Sequence, residues 1–183
     1  TKKTFSINDT KSIVEDLNKA LKLSIQGKWG PVHVNIPRDV LSGIEKYETF
    51  KVESKIEIKT INENDLEKII SLIDQSSKPV IVCGAGVKNS KTQKEIIHLS
   101  NNLNIPIVSS AGHGDVISYD HELYSGQMGP RGNKVASSLV KEADLILAIG
   151  TRLGFNSTFY SYDNISKSAK IVQIDIDPIA IGR

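Results

Sequence analysis

The stretch that most narrows the possible folds is Lys78-Pro79-Val80-Ile81-Val82-Cys83-Gly84-Ala85-Gly86-Val87, an apolar, mostly β-branched run that stops abruptly at small residues. Consecutive apolar residues leave no polar face for water. The run therefore predicts a strand buried on both sides, as in a parallel sheet, ending at Cys83. Gly84 and Gly86 can take positive φ and let another molecule approach the backbone closely, which a side chain would prevent. Asn89 or Ser90 is expected to cap the next helix, whose free N–H groups would face the turn and suit a phosphate. The same Gly-x-Gly also serves as a plain tight corner between strand and helix, so its meaning depends on the rest of the chain.

The rest of the chain repeats that unit. Upstream, Asn62 or Asn64 caps a predicted helix with Leu66, Ile69, Ile70 and Ile73 on one face. Downstream, a helix over about 91 to 103 turns Ile96, Leu99 and Leu103 toward the sheet, and Ile105-Pro106-Ile107-Val108 forms a strand that Pro106 weakens. Residues 109 to 132 hold Gly112, Gly114, Gly126, Gly129 and Gly132 with few apolar residues, which predicts a long functional loop. A helix bearing Val135, Ala136, Leu139, Val140 and Ala143 then leads to the strand Leu145-Ile146-Leu147-Ala148-Ile149, which also ends in glycine. Lys170 to Asp175 forms the last predicted strand, closed by Asp177-Pro178. Alternating strands and helices imply an α/β fold, a doubly wound parallel sheet with flanking helices and a Rossmann-like core.

The first 60 residues read differently. Asp9 followed by Ile13, Leu17, Ala20 and Leu21 predicts a helix over about 9 to 26, ended by Gly27. Gly30-Pro31-Val32-His33-Val34-Asn35-Ile36-Pro37 alternates as a half-buried strand. One helix and one strand enclose no core, so residues 1 to 42 are expected to be a helix-strand remnant of another α/β domain. The Lys/Glu-rich residues 43 to 61 are expected to be an extended linker, as in Val52-Glu53-Ser54-Lys55-Ile56-Glu57-Ile58. Residues 62 to 183 form the main domain. Its C-terminal end is expected to be cut short, and the start at Thr1 suggests an excised piece.

Composition narrows the partners. Net charge is +2 with interspersed signs and 5% of residues are aromatic, which offers no basic stripe or stacking array for nucleic acid. No apolar run approaches the roughly twenty residues of a membrane span, so no membrane partner is expected. The single Cys83 excludes a disulfide framework and reads as an inert buried thiol, consistent with a reducing cytoplasm. His113 and His121 stand apart from other ligand types, so no metal site is expected. No nucleophile elbow is present, and no catalytic residue is assigned.

In a doubly wound sheet, ligands sit outside the carboxyl ends of the strands. Those ends supply Gly84-Ala85-Gly86, Ser109-Ser110-Ala111, Gly150-Thr151-Arg152 and Asp175-Ile176. Glycine backbone suits phosphate, Arg152 suits its charge and Asp175 suits ribose hydroxyls. Plainer readings stand beside these: a surface ion pair for Arg152, and a cap of the following turn for Asp175. Met128 reads as packing.

Several stretches together resemble a known family. Gly30-Pro31-Val32-His33-Val34-Asn35-Ile36-Pro37-Arg38-Asp39-Val40, Lys78-Pro79-Val80-Ile81-Val82-Cys83-Gly84-Ala85-Gly86, Ile149-Gly150-Thr151-Arg152 and Gln173-Ile174-Asp175-Ile176-Asp177-Pro178 resemble the acetolactate synthase-like, thiamine diphosphate-dependent enzymes. The resemblance implies that residues 1–42 close a pyrimidine-binding domain and that 62–183 are the central domain. It also implies a full-length homodimer or homotetramer that decarboxylates a 2-keto acid substrate with thiamine diphosphate and Mg and passes the carbanion to an acceptor. The catalytic glutamate and the diphosphate-magnesium motif of that family match nothing here, so this chain alone is expected to be inactive. In relatives the central domain binds FAD, binds ADP or binds no nucleotide. Gly84, Gly86, Ser110, Ala111, Gln127, Met128, Gly129, Gly150, Thr151, Arg152, Asp175 and Ile176 match the positions lining that site.

The chain departs from acetolactate synthases at Arg152-Leu153-Gly154-Phe155-Asn156, where they carry Arg-Phe-Asp-Asp-Arg, and at Gly129-Pro130-Arg131-Gly132, where they carry Gly-Met-His-Gly. A relative of sulfoacetaldehyde acetyltransferase fits equally. Two alternatives remain at this level: an NAD-binding enzyme of the sirtuin type, which shares Gly-Ala-Gly, and a non-catalytic assembly module.

Overall fold

The computed structural model describes residues 1–47, 60–158 and 160–182. It divides into two compact units, Thr1–Thr60 and Ile61–Arg183. Most of the expected linker, including Val52 to Ile58, lies outside the described residues.

In the first unit, β1 (Thr4–Ser6) pairs in parallel with β2 (His33–Asn35). Between them Asp9 accepts a hydrogen bond from the Lys11 N–H at 3.1 Å and opens a 3-10 turn that runs into α1 (Ile13–Ile25). The helix agrees with the sequence expectation. The strand β1 was not expected, because three residues flanked by lysines show no alternation. The last carbonyls of α1 find a donor outside the helix: Lys2 Nζ reaches Leu23 O at 2.6 Å, Gln26 O at 2.7 Å and Lys28 O at 3.1 Å. An ammonium suits the negative end of a helix dipole. A short helix, α2 (Arg38–Leu41), follows.

The second unit is a five-stranded parallel sheet in the order β5-β4-β3-β6-β7. Asn62 caps α3 (Glu63–Gln75) by accepting the Asp65 N–H at 2.8 Å. Then come β3 (Pro79–Cys83), α4 (Ala85–Ser90), α5 (Gln93–Leu103) and β4 (Ile107–Ser109). The order continues with β5 (Tyr124–Gln127), α6 (Lys134–Glu142), β6 (Leu145–Ile149) and β7 (Lys170–Ile174). The chain starts at the centre, builds two strands outward to one side, and then crosses to build two on the other. The doubly wound α/β expectation is therefore met.

Position in the sheet explains the sequence of each strand. Central β3 has Val80, Ile81, Val82 and Cys83 all at or below 1% exposure, which is why it carries no polar residue. Its Pro79 takes the first place, where a missing N–H costs least. Val80, Val82, Val108, Ile146 and Ala148 pack on one face beneath α6. Ile81, Cys83, Ile107, Leu145 and Leu147 pack on the other with Val87 and Ile96. Burial of a Val, Leu or Ile side chain contributes about 1.5–3 kcal/mol each, so these two clusters hold the sheet.

The differences from expectation have local causes. Residues 109–132 contain the edge strand β5, whose Tyr124-Ser125-Gly126-Gln127 offers no apolar run, and whose pairing with β4 shifts register between Ile107 and Ser109. Pro106 stands just before β4 and uses its carbonyl to accept the Ile81 N–H at 3.0 Å. Leu66, Ile70, Leu103 and Val135, expected to face inward, remain about half exposed. Asn89 and Ser90 do not cap a helix; they end α4, and Thr92 precedes α5.

At the amino end of the sheet, one carboxylate joins two connections. Asp144 accepts from the Ser76 hydroxyl, from the Ser77 N–H at 2.8 Å and from the Lys78 N–H at 3.0 Å. The hydrogen bonds from Ser76, Ser77 and Lys78 hold its carboxyl below the usual carboxylate range. A depressed folded-state pKa contributes stability that is fully present above the unfolded value near 3.8 and is lost as pH falls through the folded value. Thermal melts of wild type and Asp144→Asn from pH 7 down to 3 should show a melting-temperature gap that is constant above about 5 and closes below the unfolded pKa. A gap independent of pH would show that the charged carboxylate contributes nothing.

Candidate functional site

The carboxyl ends of β3 and β6 meet where the strand order reverses, the place where open α/β sheets bind ligands. Here that crevice is filled by backbone. The Gly84 N–H donates to Ile149 O at 3.0 Å, and the Gly86 N–H to Gly150 O at 3.0 Å. A Cβ on Gly84 would lie 2.4 Å from the Gly150 carbonyl oxygen, and one on Gly86 would lie 2.5 Å from the Gly150 Cα. Neither glycine has positive φ: Gly84 is the residue before α4, at φ −121°, and Gly86 lies within the helix. The positive φ open to these glycines is therefore not used. Lacking a Cβ, they let one turn press against another, and their N–H groups are engaged by the Ile149 and Gly150 carbonyls. Gly150, at φ +60°, supplies the left-handed residue of the pair.

The remaining expected residues surround this contact. Thr151 is buried, its Oγ1 accepts the Leu153 N–H at 3.3 Å, and its carbonyl accepts Gln173 Nε2 at 3.3 Å. Arg152 beside it is exposed and has no ion pair among the described residues, so the plainer reading of a surface pair finds no support. Ser110 is 2% exposed, with its N–H donating to Cys83 O at 2.8 Å, and its hydroxyl has no protein partner among the described residues. Ala111 donates its N–H to Ser157 Oγ at 3.1 Å. Gly129 takes φ +107°, and a Cβ there would meet Asn156 O at 2.8 Å and Ala111 Cβ at 3.1 Å. Residues 110–111, 129 and 156–157 therefore gather at one end of the sheet.

Four expected residues stand apart from this contact. Met128 is buried in the core beneath the sheet, matching its reading as packing. Asp175 accepts the Asp177 N–H at 2.9 Å and so caps its own turn. Ile176 is about half exposed beyond β7. Gln127 uses its carbonyl to accept the Asn133 N–H at 2.7 Å, next to the cap of α6. Cys83 is fully buried and burial pushes its thiol up to about 12, so it is inert at neutral pH. Among the described residues no three His, Cys, Asp or Glu side chains gather as metal ligands, and no helix is long and apolar enough to cross a membrane.

Sequence reasoning missed the segment between β6 and β7. Leu153 and Tyr160 have φ of +48° and +67°, a conformation that costs a non-glycine residue on the order of 1–3 kcal/mol. Ser157 and Thr158 are buried, and Ser157 anchors the loop after β4. No periodicity marks these residues; the only signal was the density of hydroxyl and aromatic side chains.

Residues 66–183 match the central domain of thiamine pyrophosphate enzymes. The chain belongs to the acetolactate synthase-like, thiamine diphosphate-dependent family. It is 32% identical over its whole length to a probable acetolactate synthase large subunit of Methanocaldococcus jannaschii, of which it covers 32%. Over 96% of its length it is 32% identical to a sulfoacetaldehyde acetyltransferase of Roseovarius nubinhibens, of which it covers 29%. An acetolactate synthase large subunit of Haemophilus influenzae is 29% identical over the whole chain, which covers 32% of that protein. The chain thus spans about a third of the length of these relatives.

The glycine contact yields a paired test. Gly86→Ala should lower folding stability by about 1–3 kcal/mol, the usual cost of an overpacked site. Gly154→Ala, with nothing within 4 Å of its Cβ, should stay within about 0.5 kcal/mol of wild type. Denaturant melts of both variants would refute the packing role of Gly86 if the two lost equal stability.

Proposed function

We propose that the chain is part of a thiamine diphosphate-dependent 2-keto acid decarboxylase or carboligase. In this reading, residues 1–42 close its pyrimidine-binding domain, and residues 62–183 are a central domain that takes FAD or ADP at the carboxyl end of its sheet. The observation carrying the proposal is similarity along the entire chain to acetolactate synthase large subunits and along 96% of it to a sulfoacetaldehyde acetyltransferase. Thiamine diphosphate with Mg would supply the carbanion chemistry from elsewhere in the full-length protein. The described residues here offer no acidic cluster for that metal, so no chemical step is assigned to them.

The nucleotide reading is supported by side chains more than by glycines. The exposed guanidinium of Arg152 and the unpartnered hydroxyl of Ser110 stand at the same sheet end, beyond β6 and β4, and suit phosphate oxygens. The N–H groups of Gly84 and Gly86 add nothing while they hold Ile149 and Gly150. Binding is then a matter of the exposed Arg152 charge and of hydroxyl donation from the buried Ser110 at the same sheet end.

Two measurements test the proposal. The chain alone, supplied with pyruvate, thiamine diphosphate and Mg, should show no turnover, and any turnover would overturn the assignment of the catalytic groups to other parts of the protein. Calorimetric titration with FAD and ADP should show binding of one of them that Arg152→Met weakens about tenfold, the loss of one charge-assisted contact of about 1.5 kcal/mol. Equal affinity in wild type and variant would remove Arg152 from the site.

A further inference from the structure

We propose that Phe155 and Tyr160 form a stacking platform for the planar ring of the nucleotide whose phosphates lie against Arg152. The inference rests on the nucleotide reading above and adds the group that would recognise the ring.

The two rings are neighbours, with centroids 4.6 Å apart and planes tilted by 50°. Both remain in water: Phe155 is 66% exposed and Tyr160 is 56% exposed. Exposed aromatic side chains usually fold back onto apolar surface when the backbone allows it, because exposing them is unfavourable. Here both stay out, on a loop tied by its own hydrogen bonds. The Gly154 carbonyl accepts the N–H groups of Ser157 at 2.8 Å and Thr158 at 3.2 Å, and the Phe155 carbonyl accepts the Tyr160 N–H at 2.9 Å. Asn164 Nδ2 holds the Thr158 carbonyl at 3.1 Å. Tyr160 itself is held at φ +67°, in the left-handed region that bulky residues avoid.

The same loop is fixed at the ligand end of the sheet. Ser157 Oγ accepts the Ala111 N–H, one residue beyond Ser110, and the Asn156 carbonyl packs against Gly129. Arg152 precedes Phe155 by only three residues. A pair of neighbouring exposed rings therefore stands on the loop that carries the exposed cation. That combination fits an anionic group attached to a flat aromatic base, since base–aromatic stacking is tolerant of base identity and charge fixes the other end. Adenine and isoalloxazine share this chemistry.

Titration of the full chain with ADP, FMN and inorganic pyrophosphate separates the ring from the phosphate and one ring from the other. Wild type should bind ADP or FMN about tenfold or more tighter than pyrophosphate, the usual size of one stacking contact. Phe155→Ala and Tyr160→Gly should lose that margin with pyrophosphate affinity unchanged, and Phe155→Trp should retain it. Thermal melts should be unaffected by Phe155→Ala, because the ring is exposed, and glycine at 160 accepts the left-handed conformation. Unchanged ADP and FMN affinity in Phe155→Ala would overturn the platform while leaving the nucleotide site standing. A wild-type chain that binds none of the three ligands would overturn both readings. A change of oligomeric state on Phe155→Ala with nucleotide affinity unaltered would assign the rings to a protein contact and overturn the platform.

Discussion

The architecture of the second unit depends on the contact of the turn after β3 with the turn after β6. Parallel strands that reverse order leave a gap at their carboxyl ends, because the chain departs in opposite directions on either side. In this protein the gap is closed by two reciprocal features: the glycines that follow β3 have no Cβ to hold the turns apart, and Gly150 adopts positive φ so that its carbonyl receives the Gly86 N–H. Any side chain at position 84 would meet backbone, which cannot move aside as a flexible side chain can. The pairing of Val80 with Ile146 and of Cys83 with Ile149 is thereby continued one residue past the strands.

Closing that gap moves the available chemistry outward. With the glycine N–H groups engaged, what the sheet end presents is Arg152 and the aromatic pair on the following loop. These groups belong to connections rather than to strands. Connections tolerate substitution where a strand end packed on glycine backbone does not. The departures from acetolactate synthases at residues 129–132 and 152–156 fall in such connections.

Much of this was legible in the sequence, and the reason is burial. Strands β3 and β6 are covered on both faces, so nearly every residue must be apolar and the signal is continuous. The helices α1, α3, α5 and α6 carry amphipathic stripes that periodicity detects, although Leu66, Ile70, Leu103 and Val135 show that a stripe overestimates what is covered. Strands β1 and β5 lie at sheet edges, are only three or four residues long, and contain polar or glycine residues, so no pattern could form. Topology alone placed Arg152, Ser110 and Thr151 at the carboxyl ends of their strands, where the structure has them. The use made of Gly84 and Gly86 was not legible, because glycine in a sequence reports freedom from a Cβ, and that freedom serves a left-handed φ or a close approach equally well. Only the neighbour, Gly150, distinguishes them.

The distribution of strained backbone gives the carboxyl end of the sheet a character of its own. Among the described residues, four non-glycine residues have positive φ. Lys91 and Asn104 follow α4 and α5 as their C-caps, where a left-handed residue is the ordinary way to stop a helix and its carbonyls gain donors in return. Leu153 and Tyr160 end no helix. They bracket the loop that binds Ala111 through Ser157 and presents Phe155. The amino end of the sheet, by contrast, is joined by Asp144 through ordinary hydrogen bonds to two consecutive N–H groups and a hydroxyl. Strain of this kind persists only where surrounding contacts over-determine it. In this unit those contacts are the buried Leu153 side chain, the Ser157 anchor and the Phe155–Tyr160 backbone bond. Among the described residues, the unit thus places its unrelieved backbone cost on a loop that carries both an exposed cation and exposed rings, which is the physical reason to look for recognition there rather than at the glycines.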